Sequence, residues 1–343
     1  MSTAQTPLQP HMDVADALSV FAVTDSQVEK MQATEFIWRE VIARSHLVVL
    51  AGEGGSGKTA VATFAASELA NAGLQVFYFQ EDAGAGDVPR LHQHAKKHGY
   101  VLLNSTLASA APEDQIKVLR SMVKAAAPLN NVVMFFDTLK KYLDLMSKRG
   151  SREFFMLMRS LTQLGGTVVL LGHTNKHAGM DGKRIFEGVG DVRNDVDELI
   201  YAHATDKDAG GRVTITLTPD KVRCNAQKRS FQLDIINMEV CALDALVDVA
   251  SLLETRQRLE SDRPIIDQVE RALSAGGLNH TVLLDRVSEA TGESRNAVRK
   301  VVDRYMGSDP SDERALWLET RLRVNNTRYI SVRPSGASVH AES

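Results

Sequence analysis

The sequence predicts an α/β fold in which helices cover both faces of a mostly parallel sheet. Two observations lead to this prediction. Short β-branched or aromatic runs alternate with helix-like stretches over residues 31–240, and this alternation is typical of parallel strands joined by crossover helices. The runs are also apolar almost throughout, as expected of strands buried on both faces.

The individual elements follow from these patterns. The predicted strands are His46–Ala51, Gln75–Gln80, Asn131–Asp137 and Gly166–Gly172. The predicted helices are Thr59–Ala72, Val88–His98, Pro112–Ala127 and Ser151–Leu164. Two later segments alternate between apolar and polar residues and therefore predict an antiparallel hairpin, Arg212–Thr218 and Arg229–Asp234.

Composition limits the functional classes. The chain has 343 residues, of which 43% are hydrophobic and 24% charged, and a net charge of -3. A site for nucleic acid must therefore be a local basic feature. Neither signal peptide nor membrane-length apolar run is evident, so no membrane partner is expected. Cys224 and Cys241 show no metal-ligand spacing, which fits a reducing, cytoplasmic location.

Pattern changes along the chain predict its division into domains. The predicted parts are a tail or docking helix at 1–30, the α/β domain at 31–240, a charged linker helix at 241–262, a small module at 263–334 and a tail at 335–343.

A phosphate-binding loop follows the first predicted strand. It matches the pattern G-x-x-x-x-G-K-[ST], in which glycines turn backbone N–H groups towards phosphates. The lysine neutralises phosphate charge and the hydroxyl group ligates Mg²⁺, so ATP with Mg²⁺ is the expected ligand. A chance match is the alternative. The expected binding residues are Gly52, Glu53, Gly54, Gly55, Ser56, Gly57, Lys58, Thr59 and Ala60.

Polar residues at the ends of three other predicted strands are candidates for the same site. Asp137 ends an apolar strand and is expected to bind Mg²⁺ through water; an ordinary strand-ending aspartate is the alternative. Glu81 is the candidate base for the attacking water, with Asp82 as its substitute. A solvated acidic turn is the other interpretation. His173 follows the fourth strand, where ligands of α/β sheets bind, although a lone histidine is more often structural.

The order of these motifs resembles the RecA-like branch of P-loop ATPases. Thr138 after Asp137 matters here, because AAA+ enzymes usually place the water-activating glutamate directly after the magnesium aspartate. Over residues 35–235 the chain is similar to RecA-like hexameric helicases, within the wider AAA-type P-loop ATPases. Within that branch the chain resembles the plasmid-replication helicase RepA group more than the DnaB-type helicases.

The resemblance implies a ring of subunits, the hexamer typical of that branch, with ATP between neighbours. Arg223, assisted by Lys221, is implied to complete the site of the next subunit; a solvated basic strand end is the alternative. Loops in the central channel are implied to bind single-stranded DNA through Lys176, Lys183 and Arg184. The usual serine of the following Gly-Ser turn is absent here, and Asp191 stands in that neighbourhood.

The module at 263–334 is expected to be winged-helix-like. Two helices, Pro264–Ser274 and His280–Thr291, precede a candidate recognition helix at Ser294–Met306, and two strands follow. The DNA expected at this module is duplex, and the residues expected to contact it are Arg295, Asn296, Arg299 and Lys300. A winged helix that contacts only protein is the alternative.

Three functions therefore remain. The first is an ATP-hydrolysing motor on DNA, such as a ring helicase of a plasmid, phage or mobile element. The second is a DNA-binding regulator switched by nucleotide, and the third is an accessory ATPase in recombination or replication that does not unwind DNA. A kinase would need an arginine-rich lid and an acceptor pocket, for which the sequence offers no candidates.

Overall fold

The computed structural model describes residues 14–19, 21–25, 35–84, 86–142, 148–178, 184–186, 192–237, 239–309, 311–312, 314–322 and 327–333. Only the backbone is described for residues 14, 16–17, 148–149, 175–178, 184–186, 192 and 322. The chain divides into two compact units, Met1–Val249 and Ala250–Ser343.

The first unit contains alternating strands and helices. Its helices are α1 (Val14–Ser19), α2 (Lys58–Asn71), α3 (Val88–His98), α4 (Pro112–Lys124), α5 (Lys148–Gln163) and α6 (Val192–Asp195). Its strands are β1 (Phe36–Trp38), β2 (Ile42–Ala43), β3 (Leu47–Gly52), β4 (Gln75–Gln80), β5 (Val101–Leu103), β6 (Val132–Asp137), β7 (Thr167–Ala178), β8 (Arg184–Phe186), β9 (Glu198–Ala204), β10 (Arg212–Lys221), β11 (Arg229–Asp234) and β12 (Glu239–Ala242).

One large sheet organises this unit. Its strand order is β12-β11-β10-β9-β3-β7-β6-β4-β5, and β8 pairs with β7. Neighbouring strands from β9 to β5 are parallel, whereas β10, β11 and β12 continue the sheet in antiparallel fashion. The predicted α/β class with a mostly parallel sheet is confirmed.

The sheet has two ends that matter for function. At the carboxyl edge the parallel strands finish, with Gly52, Gln80 and Asp137 as their last residues. At the amino edge they begin, with Leu47 and Glu198 as first residues of β3 and β9. Because β10 runs antiparallel to β9, β10 ends at the amino edge.

Alternating side chains of the strands fill two cores. On one face Val48 and Leu50 pack in the cluster that includes Val61 and Ala65 of α2. On the other face Leu47 and Val49 share a cluster with α5. Strand β3 is buried along its whole length, which explains why its sequence is continuously apolar.

The main difference from the expected elements is β9. The sequence patterns predict no strand at Glu198–Ala204, yet β9 lies directly beside β3. Strand β7 also continues to Ala178, beyond the predicted end at Gly172. The predicted hairpin is present as antiparallel β10 and β11.

The second unit has its own small sheet and core. Its elements are α7 (Val249–Leu273), β13 (Leu278–Asn279), α8 (His280–Thr291), α9 (Arg295–Arg304), β14 (Met306–Gly307), β15 (Trp317–Leu322) and β16 (Thr327–Val332). The strand order is β13-β16-β15-β14, and Trp317, Ile266 and Val298 belong to one buried cluster. Helix α7 covers residues 249–262 of the expected linker and 264–273 of the first expected helix of the module, with Pro264 inside it.

Within the described residues, no helix is long and apolar enough to cross a membrane. Of the expected N-terminal segment 1–30, only 14–19 and 21–25 are described, and the expected tail 335–343 lies outside the described residues.

Candidate active site

The phosphate loop connects β3 to α2, so its backbone N–H groups lie at the amino end of a helix. Gly57 has a φ of 76°, and a Cβ there would lie 2.2 Å from Cδ1 of Ile215. A Cβ on Gly52 would lie 2.6 Å from Oγ of Ser56 and 2.8 Å from the Ala202 carbonyl oxygen. Both ends of the loop therefore require glycine.

Lys58 is the cation of this loop. Its ammonium group donates to the carbonyl oxygens of Gly52 at 2.9 Å and Glu53 at 2.7 Å. Burial lowers the pKa of Lys58 to about 8, and the Asp137 and Glu53 carboxylates oppose that shift. The side chain is therefore still mostly charged at neutral pH and can neutralise phosphate oxygens.

Asp137 lies next to the loop hydroxyl, as expected for a pair that holds Mg²⁺. Oδ2 of Asp137 accepts from Oγ1 of Thr59 at 2.8 Å, and burial raises the pKa of the carboxyl while hydrogen bonds and Lys58 act against that rise. A hydroxyl and a carboxylate side by side offer the oxygen donors that Mg²⁺ prefers. The residues present therefore fit the metal.

Asp137 has two further hydrogen-bond partners, Tyr78 and Gln80, which were not predicted from the sequence. Its Oδ2 also accepts from the Tyr78 hydroxyl at 2.9 Å and from Nε2 of Gln80 at 3.1 Å. The Gln80 side-chain oxygen in turn accepts from the backbone N–H groups of Asp82 and Ala83 at 2.8 and 3.1 Å. Gln80 therefore joins the magnesium carboxylate to the acidic turn. Residues 78 and 80 are two positions apart in β4 and therefore lie on the same face of the strand. This spacing is the sequence pattern that could have identified them.

The two acids of that turn have different surroundings. The Glu81 carboxylate accepts from the backbone N–H and the hydroxyl of Ser105 at 2.8 and 2.7 Å, and from Nε2 of Gln115 at 2.9 Å. Asp82 instead lines the cleft beside the phosphate loop. To act on a water molecule in that cleft, Glu81 would have to exchange part of this hydrogen-bonding arrangement.

The cleft has a volume of about 1040 Å³. This is at the upper end of the range for small-molecule sites, which run to about 1,000 Å³. The phosphate loop, Asp137 and His173 line it together, and His173 is the register partner of Gly52 in the β3–β7 pair. The cleft continues along α3, where Arg90 and His94 line it. The structure thus brings His173 to the phosphate loop.

Lys221 and Arg223 lie away from this cleft, at the amino edge of the sheet. In register, Lys221 pairs with Leu199 near the start of β9. The Arg223 guanidinium pairs with Asp197 at 2.8 Å. Burial lowers the pKa of Lys221, with a smaller contribution from Arg223. Neither basic residue shares an edge with the phosphate loop of its own chain.

One family model matches the part of the chain that contains the nucleotide cleft. Residues 15–179 match the model of a family described as an AAA domain, and this segment contains the phosphate loop, the acidic turn, Asp137 and His173. The first unit has the fold of a RecA-like P-loop ATPase core.

Several solved structures are similar in fold to this unit. FlaH, a flagellar accessory protein from Methanocaldococcus jannaschii, is 13% identical over 61% of this chain and 93% of its own, with a TM-score of 0.43. A KaiC-like protein from Pyrococcus horikoshii OT3 is 17% identical over 59% and 91%, with a TM-score of 0.42.

A third similar structure, the ATPase domain of another protein, is 13% identical over 68% of this chain and 99% of its own, with a TM-score of 0.43. At these low TM-scores the assignment rests on topology and motifs and not on the neighbours. No curated protein matches the chain.

The expected DNA loop of the ATPase domain is described only in part. Lys176 lies in β7 and Arg184 in β8, which pair with each other in antiparallel fashion; their side chains lie outside the described residues, as do Lys183 and Asp191 in full.

The expected DNA-contacting residues of the second unit lie on α9. This helix begins at its cap Ser294, whose hydroxyl accepts from the Ala297 N–H at 3.2 Å. Its buried side consists of Val298, Val301 and Val302. The four expected residues are exposed: Arg295, Asn296, Arg299 and Lys300.

Proposed function

We propose that this protein is an ATP-hydrolysing motor on DNA that works as a ring of identical subunits, six in number, as in ring helicases of plasmids, phages or mobile elements. The observation that carries the proposal is the position of Arg223 and Lys221. They lie at the amino edge of the sheet, whereas the phosphate loop lies at the carboxyl edge of the same sheet. These side chains can therefore reach phosphates only on another copy of the chain.

The distance between the two edges supports this geometry. Strand β3 has six residues from Leu47 to Gly52, and a strand rises about 3.3 Å per residue, so the edges lie roughly 17 Å apart. An arginine side chain reaches about 7 Å from its Cα at most. Head-to-tail contact between copies would bring the amino edge of one subunit to the cleft of the next, and such contacts form a ring when the rotation from copy to copy closes.

Each expected residue then has one role in hydrolysis. The loop N–H groups and Lys58 would hold the phosphates, and Thr59 and Asp137 would hold Mg²⁺, which would neutralise charge on the phosphates. Glu81, or Asp82 in its place, accepts a proton from the water that attacks the γ-phosphorus. The bond from that phosphorus to the β–γ bridging oxygen breaks, and Arg223 of the next subunit stabilises the charge that develops. His173 lines the same cleft as the phosphate loop, which supports a contact with the γ-phosphate.

The second unit supplies the proposed contact with duplex DNA. The order α7, β13, α8, α9, β15, β16, with β13 paired to β16, supports a winged-helix-like module. Among the described residues, Arg299 and Lys300 of α9 form no ion pair within 4 Å. Arg321 of β15 and Arg328 of β16 are paired with Glu319. The free cationic groups of α9 therefore favour contact with phosphates.

A DNA-binding regulator switched by nucleotide is the second candidate. It is favoured by the separate core of the second unit, which needs no motor in order to bind DNA. An accessory ATPase without unwinding activity falls in the same class, since both lack strand separation.

Two measurements test the proposal. Mass photometry with single-stranded DNA and a non-hydrolysable ATP analogue should show a closed oligomer that disperses without nucleotide; a monomer under both conditions would refute the shared site. A forked duplex, offered with either strand as the loading tail, should be separated in an ATP-dependent reaction. DNA-stimulated hydrolysis without strand separation at either tail would favour the second candidate.

A further inference from the structure

A cluster of metal-ligating side chains lies at the amino edge of the main sheet, away from the nucleotide cleft. Glu198 is the first residue of β9, His46 directly precedes β3, and Cys224 follows β10. Nδ1 of His46 lies 2.9 Å from Oε1 of Glu198, and Sγ of Cys224 lies 3.0 Å from the same oxygen. The three ligand atoms lie within 4.8 Å of one another.

Glu198 is a buried carboxylate, and one of its two oxygens has no hydrogen-bond partner among the described residues. The residue is 0% exposed. Its Oε1 accepts the Cys224 thiol and two backbone N–H groups, those of Arg223 and Cys224, each at 3.3 Å. Its Oε2 is buried and has no hydrogen-bond partner among the described residues. Such an oxygen is costly to bury unless a cation or a donor satisfies it.

The neighbouring acid, Asp197, differs from Glu198 in its ion pairs. Asp197 is also buried, but it forms ion pairs with both Arg159 and Arg223. Among the described residues Glu198 forms no ion pair with a lysine or arginine side chain, and only the imidazole of His46 can carry positive charge beside it. A partly exposed His46 also leaves a path from solvent to the cluster.

We propose that Nδ1 of His46, the Glu198 carboxylate and Sγ of Cys224 form a binding site for one divalent cation of the Zn²⁺ class. Nitrogen, oxygen and sulfur ligands together suit Zn²⁺, whereas Mg²⁺ and Ca²⁺ prefer oxygen alone. Three protein ligands leave one position for water or another ligand. The linear spacing of the residues conceals the site, because 152 positions separate His46 from Glu198.

Binding exchanges hydrogen bonds for metal bonds. The Cys224 thiol gives its proton to solvent, its sulfur bonds to the metal, and His46 binds through its neutral lone pair. The thiol donates to Oε1 of Glu198 at 3.0 Å before the metal arrives, so the metal must displace that proton. The site also adjoins Arg223, so a bound metal would hold the backbone that carries this residue.

The test uses the full chain, stripped with a chelator, without nucleotide or Mg²⁺. Equilibration with Zn²⁺ and removal of free metal should leave one zinc per chain by elemental analysis. Replacement by Co²⁺ should give the near-ultraviolet charge-transfer band of a cobalt–thiolate bond. Wild-type protein that retains no stoichiometric zinc, or gives no thiolate band with Co²⁺, overturns the proposal without recourse to any variant.

The two cysteines offer a matched pair of variants. Cys224→Ser should weaken zinc binding at least about tenfold and remove the cobalt band, whereas Cys241→Ser changes an exposed thiol on β12 and should retain both. Equal zinc affinity in the two variants overturns the proposal. Because metal binding is measured without ATP, its failure leaves the proposed ATPase function untouched.

Discussion

Alanine substitutions along the phosphate loop separate backbone strain from crowding. Gly54 has an ordinary φ and nothing within 4 Å of an added Cβ. Gly55 has a φ of 78° with open space, and Gly57 has a φ of 76° with Cδ1 of Ile215 at 2.2 Å. Ile215 is 0% exposed, so its side chain cannot swing out into solvent.

These differences set an order of stability. Gly54→Ala should change the free energy of unfolding by less than about 1 kcal/mol, because it mainly restricts the unfolded chain. Gly55→Ala should cost about 1–2 kcal/mol for a left-handed backbone. Gly57→Ala adds overpacking of about 1–3 kcal/mol to that cost, which gives a total of about 2–5 kcal/mol.

The assay is guanidinium unfolding without nucleotide, followed by tryptophan fluorescence. The chain has 2 tryptophans. Trp38 packs in the same core as Ile215, whereas Trp317 lies in the core of the second unit. In a Trp317→Phe background, Trp38 therefore reports the ATPase domain. If Gly57→Ala unfolds at the same denaturant concentration as Gly54→Ala, the described contact with Ile215 is wrong.

Three further predictions concern the proposed nucleotide site and the proposed DNA contact on α9. Glu81→Gln should leave ATP affinity intact while hydrolysis falls at least about 100-fold; if Asp82→Asn shows that loss instead, Asp82 is the base. Above pH 8 free Lys58 loses its proton, so the Kd for ATP should rise about tenfold per pH unit when it is measured by titration calorimetry. Lys58→Arg keeps its charge over this range and should therefore show a much flatter pH profile. A wild-type Kd that stays constant from about pH 8 to 9.5 would contradict the described burial of Lys58. The double variant Arg299→Ala with Lys300→Ala should bind duplex DNA more weakly and lower the slope of log K against log salt concentration by about 2. Arg321→Ala is the control and should have little effect, because the Arg321 side chain is already paired with Glu319. Equal effects of the two changes would reject α9 as the DNA contact.

Much of the site was predictable because its signals are local. The glycines, Lys58 and Thr59 form a contiguous motif, and Asp137 ends a continuously apolar strand. The parallel sheet then brings Thr59 and Asp137 together, as expected for strands that end at one edge. The roles of Tyr78 and Gln80 needed one more fact, which is that β4 lies directly beside β6.

Strand β9 shows why the rest could not be predicted. Asp197 and Glu198 stand where the strand begins, and acids at the start of an apolar run suggest a surface turn. Their partners are distant in sequence: His46 for Glu198, and Arg159 for Asp197. Without β9, the direction of β10 was undetermined, and so was the edge at which Arg223 lies. The position of Arg223, on which the proposed ring depends, therefore came only from the fold.

Mixing two inactive variants tests the shared site most directly. Lys58→Ala removes the loop cation and Arg223→Ala removes the residue donated to the neighbour, so each variant alone should hydrolyse ATP at least about 1,000-fold more slowly than wild type. In randomly mixed rings at equal amounts, about one interface in four combines an intact Lys58 with an intact Arg223 from the next subunit. Hydrolysis should recover towards about a quarter of the wild-type rate. No recovery at any ratio, when native mass spectrometry shows mixed rings, would contradict a site shared between subunits.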